Sequence, residues 1–143
     1  MKPLPRNFLF LFFNLFFLFL GVLFFNPTSS SVYAQDAESF LQQFSQAAKT
    51  TPSVEKGRNF FNSKHGRKYS CSSCHNDPPT TEGTDQDSDE QVKILAPAFN
   101  ARAFTKEKKV TKNFRKYCNN VVGRECTDAE KADILAYLMS LKP

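Results

Sequence analysis

Apolar side chains recur at helical spacing along much of this chain, and they predict a set of helices joined by loops. An amphipathic helix is expected over residues 36–50 and a short helix over residues 53–61, with a proline at position 52 between them. Residues 63–70 and 76–91 are polar, and the second segment holds two adjacent prolines and several acids, so both are expected to be loops. The apolar positions of the first helix are Phe40, Leu41 and Phe44.

The C-terminal part of the chain predicts two further helices. Residues 104–117 are helix-like and strongly basic, which indicates either a solvated face or a docking surface for an acidic partner. Residues 127–130 form a capping box, with Thr127 at the N-cap and Glu130 three positions later. No segment alternates long enough to require a sheet, so we expect an all-α domain. The apolar positions of the last helix are Ile134, Leu135, Leu138 and Leu141, with Tyr137 beside them.

The first quarter of the chain has a different character. Residues 8–25 are apolar with two exceptions, a basic start precedes them, and a polar spacer with a Val-x-Ala end follows. This order is typical of an export signal. We therefore expect cleavage after Ala34. It would remove residues 1–34 and leave residues 35–143 as one periplasmic domain. The apolar run is just long enough to span a bilayer, so an uncleaved anchor is the alternative.

Length and charge narrow the possible classes of protein. Residues 35–143 are too few for a TIM barrel or for a Rossmann fold with a second lobe. A core of this size is marginal, so an internal staple or a buried cofactor is expected. The formal net charge of the whole chain is +5. Because part of that excess lies in the expected signal, it is weak evidence for a nucleic-acid partner, and we expect none.

The five residues Cys71-Ser72-Ser73-Cys74-His75 match C-x-x-C-H, the attachment signature of haem c. Two thiols on one helical turn can form thioethers with the two vinyl groups of a porphyrin, and His75 can donate the proximal nitrogen to iron. A thioredoxin-type pair would need a βαβ context, and a zinc site would need a second pair at similar spacing. The sequence therefore predicts one covalently bound haem c.

The other two cysteines, Cys118 and Cys126, are eight positions apart. Export makes oxidation the expected outcome, so we predict a disulfide between them. Closing a loop of this size would stabilise the fold by about 2–3 kcal/mol on the chain-entropy model. The alternative is a pair of free, buried thiols.

No obvious residue is available to bind the far side of the haem iron. An ordinary electron-transfer cytochrome c uses a Met or a second His there, and neither occurs between Asn76 and Leu138. Met139 lies among core positions of the last helix and is expected to pack. His65 precedes His75 by ten positions and is expected on the surface or in support of the site. We therefore expect a sixth position that is weakly held or empty, open to O2, NO or CO.

Two parts of the chain resemble the class I cytochromes c. Gly57 and Phe61 before the haem motif, and residues 130–138 after it, are similar to the terminal helices that cross in that class. There the glycine permits close approach to an apolar and an aromatic side chain, which would be Ile134 and Tyr137 here. The resemblance implies a small fold with crossing N- and C-terminal helices around one haem.

Four further segments resemble a narrower group, the sphaeroides haem protein family. They are Leu95-Ala96-Pro97, Phe104-Thr105, Lys109-Val110 and Cys118 to Thr127, and the likeness covers about residues 54–142. It implies a monohaem cytochrome c that binds O2 and NO, with a weak Asn ligand next to a disulfide. It also implies reduction by a dihaem cytochrome c, with a membrane b-type cytochrome as an indirect partner.

The chain departs from this family at the position of the ligand Asn, which precedes the first disulfide cysteine. Tyr117 occupies that position here. Tyr117 could bind ferric iron as a phenolate, hydrogen-bond a molecule bound to the iron, or simply pack. Asn119 or Asn120 could replace it if the loop shifts.

The sequence thus predicts an exported monohaem cytochrome that binds diatomic ligands and accepts electrons from a partner cytochrome. A plain electron carrier that docks through the basic helix is the alternative. Turnover of NO or peroxide is less favoured, because no distal acid–base residue is evident.

Overall fold

The computed structural model of the protein describes residues 32–143. The expected export signal therefore lies almost wholly outside the described residues, and its cleavage stays a prediction. The helices are α1 (Val32–Ala48), α2 (Val54–Asn62), α3 (Cys71–His75), α4 (Glu107–Val121) and α5 (Asp128–Ser140), and the strands are β1 (Gly83–Thr84) and β2 (Gln91–Val92).

The predicted helices are present, with shifted ends. α1 begins at Val32, ahead of the predicted position 36 and before the expected cleavage site at Ala34. α4 begins at Glu107 rather than at Phe104, and it continues to Val121. Phe104 has a φ of 56°, a left-handed conformation that an α-helix does not accommodate, which explains the later start.

Side-chain caps define the starts of α2 and α5, as the sequence predicts. The Ser53 hydroxyl accepts a hydrogen bond from the backbone N–H of Lys56. The Thr127 hydroxyl accepts from the N–H of Glu130, and the Glu130 carboxylate accepts from the N–H of Thr127 at 2.8 Å. Arg124 donates to both oxygens of the same carboxylate, at 2.6 and 2.8 Å. This bidentate pair fixes the entry to α5.

Within residues 32–143, a small antiparallel hairpin departs from the predicted all-helical chain. β1 pairs with β2, with Gly83 opposite Val92 and Thr84 opposite Gln91. Between the strands, the Asp85 carboxylate accepts the N–H groups of Asp87 and Ser88 at 3.0 and 3.1 Å. Strands of two residues are too short to produce a visible alternation, so the sequence pattern could not reveal them.

The crossing of α2 and α5 forms the centre of the core. A Cβ atom built on Gly57 would lie 1.8 Å from the backbone oxygen of Asp133, so only glycine permits this approach. The core cluster at the crossing consists of Phe61, Ile134, Tyr137 and Leu138. The predicted crossing of terminal helices is thereby confirmed.

A second buried cluster attaches the remaining long helices. Phe40 of α1, Val110 of α4 and Leu135 of α5 pack together. Phe114 of α4 contacts this cluster and also the cluster at the crossing. α5 is therefore the element that α1, α2 and α4 share.

Within residues 32–143, no helix combines the length and the apolar character needed to cross a membrane. The apolar run over residues 8–25 lies outside this range.

Candidate haem-binding site

The C-x-x-C-H motif forms a short capped helix, α3. Ser70 precedes it, and its hydroxyl accepts the backbone N–H of Ser73 at 3.2 Å. The Ser73 hydroxyl in turn accepts the N–H of Ser70 at 3.0 Å, which completes a capping box. Cys71 and Cys74 are both unpaired. The serines between and before the thiols thus hold the motif in the helical turn that haem attachment requires.

His75 ends this helix with an imidazole suited to bind a metal. Its Nδ1 atom is buried and has no hydrogen-bond partner among the described residues. Burial lowers the pKa of His75, while the backbone carbonyl of Lys93 and the Asp85 carboxylate act more weakly in the opposite direction. The Lys93 carbonyl thus influences the ring without the geometry of a full hydrogen bond. A neutral, half-buried imidazole can donate a nitrogen lone pair to iron.

Cys71 lies at the edge of the core. Its side chain packs against the cluster around Phe61. Burial raises the pKa of the Cys71 thiol to about 11. A thiol-disulfide oxidoreductase needs a low-pKa thiolate, so the environment of Cys71 argues against that chemistry.

The hairpin packs tightly on the haem motif through Gly83. A Cβ atom at this position would lie 1.8 Å from the backbone oxygen of Cys74. Sequence reasoning did not single out Gly83, because a lone glycine in a polar loop gives no sign of what approaches it. This close contact fixes the position of Cys74 relative to β1.

Hydrogen bonds also hold the residues that follow His75. Asn76 donates through its side-chain amide to the Thr81 hydroxyl and the Glu82 carbonyl, each at 3.1 Å. One oxygen of the Asp77 carboxylate accepts from Asn62 Nδ2 and the other from the Tyr137 hydroxyl, each at 2.8 Å. The sequence carried no signal for this cluster, since its members lie on three separate elements.

The predicted partners Cys118 and Cys126 are joined in the structure. Their Cα atoms lie 5.6 Å apart, and both side chains are buried. The bond ties the end of α4 to the residue just before the N-cap of α5. Gly123, in the loop between them, has a φ of 84°, and a Cβ atom there would meet the Arg67 guanidinium at 2.4 Å. The disulfide loop therefore touches the loop that leads into α3.

Tyr117 lies on the inward face of α4. It follows Val110 and Phe114, and precedes Val121, at the i, i+4, i+7, i+11 spacing of one helix face. Val110 is 5% exposed, whereas Tyr117 is 45% exposed. Partial exposure at a position that continues the packed face of α4 is the arrangement expected of a side chain that faces a porphyrin. The Lys116 ammonium lies 4.8 Å from the centre of its ring.

The other candidates for the far side of the iron have different surroundings. Asn119 donates its side-chain amide to the Arg115 carbonyl at 2.7 Å, within its own helix. Asn120 is exposed, and Met139 is half-buried. His65 has its Nε2 atom 2.9 Å from the Phe60 carbonyl, so its ring is engaged in the loop before α3. Among the described residues, the side chains of Tyr117, Asn120 and Met139 make no hydrogen bond, and of these three Tyr117 continues the spacing of Val110 and Phe114.

The family model described as "Domain of unknown function (DUF1924)" matches residues 47–138. The chain belongs to this family. Two curated relatives are c-type cytochromes. Cytochrome c'' of Methylophilus methylotrophus is 37% identical over 93 residues, which span 62% of this chain and 65% of the relative. Cytochrome c-type protein SHP of Cereibacter sphaeroides is 36% identical over 96 residues, 64% of this chain and 74% of the relative.

Solved structures of both relatives share the fold. Oxidized cytochrome c'' superposes with a TM-score of 0.70 and 30% identity, covering 77% of this chain and 98% of that one. Oxidized SHP, described as an oxygen-binding cytochrome c, has a TM-score of 0.68 and 32% identity, covering 73% and 96%. A solution structure of cytochrome c'', solved to explain haem-ligand detachment, also has a TM-score of 0.68, with 31% identity and coverage of 77% and 97%.

These comparisons confirm the predicted resemblance, the cytochrome c-type fold and the cofactor. The protein is a c-type cytochrome with covalently bound haem c. The free thiols of α3 and the unpartnered, neutral His75 are chemically suited to hold that group.

Proposed function

We propose that this protein binds small diatomic molecules, O2 or NO, at a haem iron whose far side is only weakly guarded. The single observation that carries the proposal is Tyr117, which continues the core-facing spacing of α4 and yet is 45% exposed. Neither a Met nor a His lies between Asn76 and Leu138 to supply a strong ligand instead. That SHP is described as oxygen-binding supports the same conclusion.

The motif residues and Tyr117 have separate roles in this proposal. Cys71 and Cys74 tether the porphyrin through thioethers, and His75 supplies the proximal nitrogen. Bound haem contributes an iron that takes diatomic ligands in its ferrous state. Tyr117 offers a phenol that can accept or donate a hydrogen bond, and its oxygen is a weaker ligand for ferrous iron than a thioether or an imidazole. The haem-ligand detachment studied in cytochrome c'' is consistent with such a weak sixth position.

An absorption spectrum of the reduced holoprotein, recorded with and without CO, tests the proposal. We expect CO to change the spectrum of the wild-type protein, and Tyr117→Phe to alter the ferric EPR signal. Asn119→Ala and Met139→Leu are the matched controls, and neither should change the ferric signal. Sharp low-spin bands that CO leaves unaltered would refute ligand binding. A ferric signal that changes only in Met139→Leu would assign the sixth position to the thioether instead.

The exposed face of α4 supports electron transfer as a second function. Five cations lie at the i, i+1, i+4, i+7, i+8 positions of one helical stripe, and none of them forms an ion pair with a described residue. We propose that this basic stripe receives an acidic electron donor, a dihaem or other cytochrome c, with a membrane b-type cytochrome upstream. The stripe consists of Lys108, Lys109, Lys112, Arg115 and Lys116.

Reduction kinetics with a dihaem cytochrome c as donor test this surface. We expect the rate to fall as salt increases, since steering by exposed charges is screened. The double variant Lys112→Glu/Arg115→Glu should slow reduction at low salt by about tenfold or more. Lys49→Glu/Lys56→Glu makes the same change of charge on exposed residues elsewhere and should have a smaller effect. If both double variants slow reduction equally, the effect comes from net charge and not from a docking surface on α4.

Export to the periplasm, with cleavage after Ala34, completes the proposal. It is supported by the order of basic, apolar and small residues in the first 34 positions. N-terminal sequencing of the protein from a periplasmic fraction should begin at Gln35. A full-length chain recovered from the membrane fraction would favour the uncleaved anchor.

A further inference from the structure

The chain immediately after His75 is fixed by side chains from distant elements. Asn76 caps α3 with a φ of 65°, and its backbone N–H donates to the Ser72 carbonyl at 3.0 Å. Its side-chain amide reaches Thr81 and Glu82. Asp77 follows, and each of its two carboxylate oxygens accepts one hydrogen bond. The main chain cannot swing at this point without breaking several bonds.

The two donors to Asp77 come from the crossing helices. Asn62 is the last residue of α2, and Tyr137 belongs to α5 and is only 3% exposed. The bond from Tyr137 spans 60 positions of sequence. The Tyr137 ring also packs on Phe61, with ring centres 5.7 Å apart. The Phe61 ring lies 6.4 Å from the His75 ring. Tyr137 is thus connected to His75 by two routes, one through Asp77 and one through Phe61.

We propose that Asp77 and Tyr137 are positioning residues that set the orientation of the His75 imidazole. The crossing of α2 and α5 is closely packed and buried, and the Asp77 carboxylate connects it to the end of α3. Nδ1 of His75 has no hydrogen-bond partner in the described residues, so its ring orientation depends on the backbone that carries it. This inference rests on the proposed role of His75 as the proximal ligand.

Resonance Raman spectra of the ferrous holoprotein after photolysis of CO test the inference. The wild-type protein should show an iron–histidine stretching band, and its absence would refute the proximal role of His75 itself. Given that band, Tyr137→Phe should shift or broaden it, because the variant keeps the aromatic ring and removes only the hydroxyl. The CO dissociation constant should change by about tenfold, the lower end of the usual effect of residues that support a metal ligand.

Tyr69→Phe is the matched control. The Tyr69 hydroxyl also donates to a carboxylate, that of Asp87 between β1 and β2, at 3.0 Å. The variant deletes the same kind of bond and should leave the band and the CO constant unchanged. In an Asp77→Ala background, Tyr137→Phe should have no further effect on either quantity.

A merely structural cluster would give a different result. Tyr137→Phe would then lower the melting temperature and leave both the band and the CO constant at their wild-type values, which overturns the inference. Should Asp77→Ala yield no folded holoprotein, Asn62→Ala, which removes the other bond to the carboxylate, should by itself shift or broaden the band, and an unchanged band in that variant would also overturn the inference.

Discussion

Replacing Gly57 with alanine should destabilise the whole fold, although alanine is the better helix former. The added Cβ would lie 1.8 Å from the Asp133 backbone oxygen, whereas real Cβ atoms essentially never come closer than 3.0 Å. Because the obstacle is main chain, α2 and α5 must move apart. Their separation would also strain the hydrogen bond from the Ser53 N–H to the Asp133 carboxylate, which measures 2.7 Å.

The size of this effect follows from two opposing contributions. Overpacking a tight contact costs about 3 kcal/mol at the upper end of its usual range. Helix propensity favours alanine over glycine by about 1 kcal/mol. The net loss is then about 2 kcal/mol, which for a domain of this size lowers the melting temperature by roughly 10 °C.

Thermal unfolding of the holoprotein, followed by far-ultraviolet circular dichroism, measures this loss. Asn59→Ala is the matched control, because Asn59 is exposed on the same helix and should gain a few tenths of a kcal/mol from propensity alone. If Gly57→Ala melts at or above the wild-type temperature, the close crossing is not what stabilises this fold.

Two further predictions concern the entry to α5. The Arg124 side chain and the N–H of Thr127 lower the pKa of Glu130 from 4.5 to about 2. This carboxylate therefore stabilises the fold fully above about pH 4.5, and its contribution decreases as the pH falls toward 2. Glu130→Gln should therefore lose about 1 kcal/mol at pH 7 and only a small part of that at pH 2, as measured by urea unfolding across pH. An equal loss at both pH values would contradict the assignment. Replacing both Cys118 and Cys126 with serine should cost about 2–3 kcal/mol in the same assay, and a loss near zero would show that the loop is equally ordered without the bond.

Local patterns in the sequence predicted most of the helices and the motif. The capping box at Thr127 and the apolar spacing after it defined α5, and the serine at position 53 marked the start of α2. These signals act within a turn or two of helix, so they can be recognised without any knowledge of the fold. The helical turn that carries Cys71, Cys74 and His75 was predicted for the same reason, because the spacing of the two cysteines matches the size of such a turn.

Positions set by distant contacts could not be predicted in this way. Gly83 showed no sign of its contact with the Cys74 carbonyl, and Asp77 lay in a segment that the sequence marked only as a polar loop. The partner of Asp77 on α5 is 60 positions away. The start of α4 was misplaced for a related reason, because the left-handed backbone of Phe104 reflects packing around it and not its own preference.

The amino-acid sequence alone determined that this chain carries a haem c motif, a pair of nearby cysteines and neither Met nor His between Asn76 and Leu138, because each of these depends only on residue type and spacing. The tertiary structure decided which side chains surround that motif. Tyr117 continues an inward helix face yet is half-exposed, and the backbone after His75 is held by Tyr137 through Asp77. Both facts depend on how α4 and α5 pack in space, and packing between distant segments has no local periodicity from which it could be predicted.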